Sequence, residues 1–166
     1  MTIDMTTDIT NGPVSPPPLT VCNVVDLYAV GAVIYDSAGH FLMQLRDDKP
    51  GLPVRDHWAL FGGGCHQDEA TEGALLRELE EELEFRPRTY HRFHNAVYAI
   101  AGAPTPVVSK AYFAIPADAG ELAAMVQHEG RDRRLFPLDE LTGLARIAPW
   151  DLCAILLYAR AGALWS

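Results

Sequence analysis

Cysteine is scarce in this sequence, which has only three in 166 residues. They stand at Cys22, Cys65 and Cys153, so their spacing is wide and no CxxC pair occurs. This pattern argues against a disulfide framework or a structural zinc site, and it favours reduced thiols in a cytosolic protein. We therefore predict a cytoplasmic location.

Long apolar runs are also missing. The sequence has no stretch of roughly 18 or more apolar residues, which predicts that no helix spans a membrane. Its N-terminus lacks a basic segment followed by an apolar one, so a signal peptide is not expected. We predict a protein without a membrane partner.

Basic residues are few. Lysine and arginine total 13 against 22 aspartates and glutamates, which gives a net charge of -9. A non-specific nucleic-acid binder needs a basic face, so this balance argues against that class. It does not exclude a small nucleotide as substrate, because a metal ion can supply the positive charge.

The length of 166 residues predicts one domain with a substantial core. Residues 1–20 are polar and contain four prolines, so we predict a tail that is flexible or packed against a partner. Residues 21–166 would form the single domain. If the tail packs against a second copy of the chain, the protein is a homodimer.

The order of predicted elements indicates an α/β protein with a mixed sheet. Residues 116–121 are interpreted as a loop, residues 130–136 as a basic turn that leads into a short apolar stretch, and 138–141 as the start of a helical turn. Strands are predicted at Val24–Tyr35, Phe41–Arg46, His57–Phe61, Thr89–Ile100 and Val107–Ile115, and helices at Thr71–Glu84 and Pro149–Leu164.

Most of the negative charge is concentrated in one stretch, Gly63–Phe85. It holds eight acids and a single base, Arg77, and so carries -7 of the chain's -9. Leucines at 75, 79 and 83, with Leu76 beside them, form an apolar stripe that predicts a helix packed on the sheet. Glu78, Glu81 and Glu82 fall on a different face of that helix.

This acidic face has two interpretations. A run of glutamates is most often a solvated helix surface, and like charges at this spacing destabilise a helix by roughly 0.2–0.5 kcal/mol per pair. Here, however, the helix follows Gly62–Gly64, where the main chain can approach a ligand closely. Carboxylate and carbonyl oxygens are the ligands that Mg²⁺ prefers. The combination favours a divalent-cation site.

The same residues resemble the Nudix box, G-x5-E-x7-R-E-U-x-E-E-x-G-U, where U is a bulky apolar residue. Gly63 opens the match, Glu69 follows, and Arg77, Glu78, Leu79, Glu81, Glu82 and Phe85 fall on the later positions. One position departs, because Glu84 stands where the family has glycine. That glycine normally lets the helix end in a left-handed conformation, so Glu84 predicts strain or a redirected exit.

The resemblance implies a Nudix-type α-β-α sandwich around a central mixed sheet. Nudix enzymes hydrolyse a nucleoside diphosphate linked to another group, using Mg²⁺ or Mn²⁺. Carried over, Glu78 and Glu82 are expected metal ligands, with Glu81 as a ligand or as the residue that orients water. The carbonyl of Gly62 would complete the shell.

The resemblance also implies roles for residues around the metal. Arg77 would hold a box glutamate in place, and Glu69 would support the loop. Members often recruit another glutamate as ligand or base, and Glu129 is the candidate. A carboxylate that accepts the proton of the attacking water completes the expected chemistry, and either Glu81 or Glu129 could do so.

Substrate contacts are predicted at three positions outside the box. Gln44 and Arg46 lie on a strand that can face the substrate, although Arg46 could equally be an exposed strand end. Trp58 could stack on a base or belong to the core. Nucleotide sugars and nucleoside triphosphates remain open as substrates. The alternative function is a catalytically silent nucleotide-binding or regulatory module, which would not need the intact set of Arg77 and its glutamates.

Overall fold

The computed structural model describes residues 25–52, 54–99 and 107–164, with side chains described as far as residue 161. Within these ranges the chain forms six strands and four helices. The strands are β1 (Leu27–Tyr35), β2 (Phe41–Leu45), β3 (Trp58–Ala59), β4 (His91–Ala99), β5 (Val107–Pro116) and β6 (Asp132–Phe136), and the helices are α1 (Thr71–Leu83), α2 (Ala119–Ala124), α3 (Leu138–Gly143) and α4 (Pro149–Leu164).

The six strands form one mixed sheet. Its centre is the parallel pair of β1 and β5, and β4 adds antiparallel to the outer edge of β5. On the other side, β2 pairs antiparallel with the end of β1 and with β3, while β6 runs along the remaining edge of β2. The predicted mixed α/β architecture is therefore confirmed.

Hydrophobic side chains cover both faces of this sheet. Alternation along the strands sends successive side chains to opposite faces. One face packs Val30, Phe61 and Phe113 against the buried leucines of α1 at 75, 79 and 83. The other face packs Tyr112 and its neighbours against Ile155 of α4. The sheet lies between helices, as the sandwich requires.

Two stretches differ from the sequence-based expectations. The predicted basic turn at 130–136 contains the strand β6. Its charged residues Asp132, Arg133 and Arg134 are not typical of a strand, and pairing with β2 holds them in that conformation. The loop at 116–121 contains the start of α2. Asp118 and Glu121 form a capping box there, because each side chain accepts the other residue's backbone N–H.

Smaller differences concern boundaries and one side chain. The first strand begins at Leu27 rather than Val24. Leu76 is 36% exposed and lies outside the leucine stripe that anchors α1. The predicted tail at 1–20 lies outside the described residues. Among the helices of the described ranges, none is both long and apolar enough to cross a bilayer.

Candidate active site

A glycine segment forms the base of the site. After β3 the chain runs antiparallel to β1, where Val30 N donates to Gly63 O at 2.9 Å and Ala32 N donates to Phe61 O at 2.9 Å. Gly62 has φ +117°, and a Cβ there would stand 2.5 Å from Val30 O. Only glycine fits this close approach to the neighbouring strand.

Gly63 makes room for a carboxylate of α1. A Cβ on this residue would stand 2.6 Å from Glu78 Oε2, so any side chain would displace that glutamate. One position earlier, Gly62 N donates to Glu82 Oε2 at 2.7 Å. The two glycines thus bring bare main chain against the two carboxylates that were predicted to bind metal.

Glu82 is a buried carboxylate whose charged neighbours are other acids. Only 4% of the residue is exposed. Burial raises its pKa to about 7, and the charges of Glu78 and Glu129 add to this, while the Gly62 N–H bond opposes it. Repulsion between these acids would be relieved by a cation placed among them.

Glu78 and Glu81 differ sharply in burial. The Glu78 side chain is 14% exposed, and its pKa is raised mainly by burial despite a hydrogen bond from Arg77. The Glu81 side chain is 60% exposed. One turn of helix therefore presents a buried carboxylate at Glu82, a half-buried one at Glu78 and an exposed one at Glu81.

Arg77 connects the loop before α1 to the glutamates on the helix. Its Nε and Nη2 donate to the two carboxylate oxygens of Glu69 at 3.0 and 2.9 Å, and Nη2 also donates to Gly64 O at 2.9 Å. Its Nη1 donates to Glu78 at 2.7 Å and to Glu81 at 3.1 Å. The bonds from Arg77 are the largest cause that lowers the pKa of Glu69 to about 2.

Glu129 lies near these acids although it is far from them in sequence. It is exposed, and its charge is close enough to raise the pKa of both Glu78 and Glu82. The segment that carries it is fixed to the end of α1, where His128 N donates to Glu82 O at 2.9 Å. The predicted outlying glutamate is therefore beside the box.

The three predicted substrate-contacting residues occupy different environments. Gln44 is 2% exposed and donates to Leu60 O at 3.3 Å, and its amide lies close enough to Glu82 to lower the pKa of that carboxyl slightly. Trp58 packs edge-to-face on Phe136, with ring centroids 4.7 Å apart. Arg46 is the one that borders open space, since it lines a cleft beside the glycines.

This cleft has a volume of about 140 Å³ and lies on the α4 side of the glycine segment. Tyr98 and Trp150 line it and stack with ring centroids 4.8 Å apart. Lys110 also lines it and donates to Asp151 at 2.8 Å. Arg46 lines the same cleft, and within the described residues its Nε is buried without a hydrogen-bond partner.

Sequence reasoning missed Lys110 and Asp151. Asp151 is 1% exposed and accepts from Lys110 Nζ, from Tyr112 OH at 3.2 Å and from Leu60 N at 3.0 Å. A usable signal existed, because Lys110 is the one charged residue in the apolar run Val107–Ile115. A lysine in a buried strand needs an acidic partner, so Lys110 could have prompted a search for one in the sequence.

The NUDIX domain family model matches residues 26–157, most of the chain and the whole of the site described above. The chain belongs to the Nudix family. A search of curated proteins gives no match.

Solved structures share the fold at low sequence identity. The MutT protein from Methanosarcina mazei is 18% identical with a TM-score of 0.70, and the match covers 82% of this chain and 94% of that one. The NUDIX domain of Shewanella oneidensis NrtR, complexed with ADP ribose, is 18% identical with a TM-score of 0.67 over 83% and 89%. The E. coli dihydroneopterin triphosphate pyrophosphohydrolase is 18% identical with a TM-score of 0.64 over 77% and 91%.

The Nudix box of this chain ends in the usual way despite its unusual residue. Glu84 adopts the left-handed conformation with φ 50° and ψ 36°. Phe85 N donates to Leu79 O at 3.1 Å, which closes the turn as a glycine would allow. The left-handed backbone of Glu84 agrees with the expected strain at this residue. The expected alternative, a redirected helix exit, does not agree with it.

The donor chemistry of the Nudix box fits a hard divalent cation. Glu82 is buried and Glu78 half-buried, both carboxyl groups have raised pKa values and both face bare backbone, which is the setting a cation would stabilise. In the described part of the chain no three His, Cys, Asp or Glu side chains converge enough to hold an ion. Arg77 Nη1 bridges Glu78 and Glu81 instead.

Proposed function

We propose that this protein hydrolyses the pyrophosphate bond of a nucleoside diphosphate linked to another group, with Mg²⁺ or Mn²⁺ as cofactor. The observation that carries this proposal is Glu82, buried at 4% exposure with its pKa raised to about 7 among other acids. Above that pH an ionised carboxylate buried beside like charges costs the fold stability, and a cation in the same place would offset this cost.

Four groups would hold the metal: the carboxylates of Glu78, Glu81 and Glu82 and the carbonyl of Gly62. When bound, the ion would neutralise the pyrophosphate oxygens and make water a stronger nucleophile. Arg77 keeps Glu78 and Glu81 oriented towards each other through its Nη1.

Proton transfer would fall to an exposed carboxylate. Glu81 and Glu129 are both accessible to water, whereas Glu82 is enclosed. Glu129 lies on a segment outside the helix, so it can approach a substrate from a different direction than Glu81. Either group would accept the proton of the attacking water in a general-base step.

The cleft on the α4 side would take the nucleoside part of the substrate. Arg46 borders both this cleft and the glycine segment, which is where a phosphate chain would cross. Gln44 and Trp58 would support the site from the protein interior, since Gln44 donates to Leu60 O and Trp58 packs on Phe136. Nucleotide sugars and nucleoside triphosphates are the two substrate classes we propose.

A catalytically silent nucleotide-binding module is the second candidate. The observation in its favour is that Arg77 already bridges Glu78 and Glu81, so these side chains must move before they can share an ion. The Nudix domain of NrtR complexed with ADP ribose has a similar fold. A binding module would retain ligand affinity without turnover.

Phosphate or nucleotide release across a panel of nucleoside triphosphates and nucleotide sugars tests the first candidate against the second. We expect turnover of at least one substrate with Mg²⁺ or Mn²⁺, and its loss with a chelator. Glu82→Gln should abolish it, while Glu80→Gln, the same change on the exposed face of α1, should not. Nucleotide binding by calorimetry without any turnover would support the binding module and reject the enzyme.

A further inference from the structure

Glu84 is the residue at which this Nudix box departs from the family pattern. It takes the left-handed conformation that ends α1, with φ 50°. For a residue with a Cβ that conformation is unfavourable, and glycine avoids the cost.

The Glu84 side chain reaches across to a segment that follows α2. Its Oε1 lies 2.7 Å from Nε2 of His128, with about half of each side chain exposed. A glycine has no atoms that could make this contact. The link is thus specific to the residue that departs from the pattern.

The same segment is also bound to the end of α1 through its backbone. Val126 N donates to Leu83 O at 3.0 Å, and His128 N donates to Glu82 O at 2.9 Å. These bonds satisfy carbonyl groups that the last turn of a helix leaves without partners. Residues 125–129 have no helix or strand of their own. Arg133 Nη2 donates to Met125 O at 2.8 Å, and Gln127 Nε2 donates to Glu129 O at 2.7 Å, so Glu84 adds the side-chain contact that ties this segment to α1 at His128.

Glu129 follows directly in the chain. The backbone bond of His128 ends at Glu82 itself, and the charge of Glu129 acts on both Glu78 and Glu82. A small change in the path of residues 126–128 would therefore move the Glu129 carboxylate relative to the box.

We propose that Glu84 is a positioning residue, which holds His128 and thereby places the Glu129 carboxylate beside Glu78 and Glu82. This inference rests on the proposed function for its catalytic consequence, whereas the anchoring of residues 126–129 can be measured without any activity. Glu84 would act through Glu129 and would not touch substrate.

Glu84→Gly is the decisive variant, because it removes the side chain and the backbone cost together. We expect the midpoint of thermal unfolding to stay the same or rise. We also expect kcat to fall about tenfold with KM unchanged, the size of effect typical of losing a supporting partner. A residue with only a structural role would move activity and stability in the same direction.

Amide hydrogen exchange supplies the readout that does not need turnover. Residues 126–129 should exchange faster in Glu84→Gly than in the wild type, and Glu84→Gln, which keeps an oxygen acceptor, should restore much of the protection. Asp68→Gly is the matched control, since Asp68 is another exposed non-glycine with positive φ, 60°, and lies in the loop before α1. It should leave exchange at 126–129 unchanged.

Unchanged exchange at residues 126–129 in Glu84→Gly would overturn the proposal, whatever the activity. Faster exchange in that variant, in a protein whose wild type turns over no nucleotide, would support the anchoring and reject the proposed enzymatic function instead. In a Glu129→Gln background Glu84→Gly should lower kcat no further. An additional tenfold loss there would show that Glu84 acts by some other route.

Discussion

Two buried carboxylates bind the same short segment of chain, and their surroundings are opposite. Asp151, in the first turn of α4, accepts from Leu60 N at 3.0 Å, and Glu82, in α1, accepts from Gly62 N at 2.7 Å. Asp151 also accepts from the ammonium of Lys110 and the hydroxyl of Tyr112. The charged neighbours of Glu82 are the acids Glu78 and Glu129.

The difference separates a buried charge that is paired within the fold from one that has no positive partner among the groups that shift its pKa. The charge of Asp151 is balanced by Lys110 within the fold, so it can stabilise the packing of α4 on the sheet. Glu82 is buried to a similar degree, but its pKa rises to about 7 because burial removes it from water and the neighbouring charges of Glu78 and Glu129 are also negative. The burial of a carboxylate is therefore a poor sign of function by itself. A buried carboxylate without an opposite charge beside it is a useful sign.

The largest expected effect comes from Glu82→Gln. This change keeps an oxygen to accept from Gly62 N but removes the charge, and we expect turnover to fall on the order of 10³-fold. Steady-state kinetics on the best substrate measures it. Glu80→Gln is the control, and activity within a factor of two of wild type in Glu82→Gln would remove Glu82 from the site.

Asp151→Asn should act mainly on stability. It leaves the ammonium of Lys110 buried without its partner, and breaking one side of a buried pair costs about 3–5 kcal/mol. Chemical denaturation measures the free energy of unfolding. Pairing it with Lys110→Met, which removes the other charge, should recover part of the loss, and a double variant as unstable as the sum of both would contradict the pairing.

The metal-free protein should lose stability as pH rises, owing to Glu82. Its pKa is about 7 in the folded state against an ordinary value of 4.5, so folding favours the protonated form. The contribution is fully present below about pH 4.5 and is lost as pH rises through 7, by on the order of 3 kcal/mol at most.

Denaturation in a chelator at several pH values tests this dependence. Glu82→Gln should flatten the curve over that window and be more stable than wild type above pH 7. Adding Mg²⁺ or Mn²⁺ should stabilise the wild type selectively. Parallel curves for the two proteins would show that Glu82 is ionised in the folded state at ordinary pKa.

Arg77→Lys should have the smallest effect of the four. Lysine keeps the charge but cannot reproduce the paired contact with Glu69 together with the bond to Gly64 O. We expect kcat/KM to fall about tenfold, as when a supporting partner of a metal ligand is lost. Arg86→Lys, at an exposed pair with Glu80, is the control.

The sequence predicted the helix α1 and the spacing of its glutamates because the motif is local. Spacing along one helix fixes which side chains share a face, so the positions of Glu78 and Glu82 four residues apart were enough to pair them. Local signals failed where pairing partners are distant. Strand β6 begins with Asp132-Arg133-Arg134, and only the edge of β2 explains it.

The sequence by itself determined the family, the acidic helix and the glutamates, since these depend on residue types at fixed spacing. The tertiary structure alone decided which acids are compensated, because a carboxylate's environment depends on the elements packed around it. It paired Asp151 with Lys110 from β5 and left Glu82 among acids. It also brought His128 to Glu84, a contact across 44 residues that no local pattern encodes.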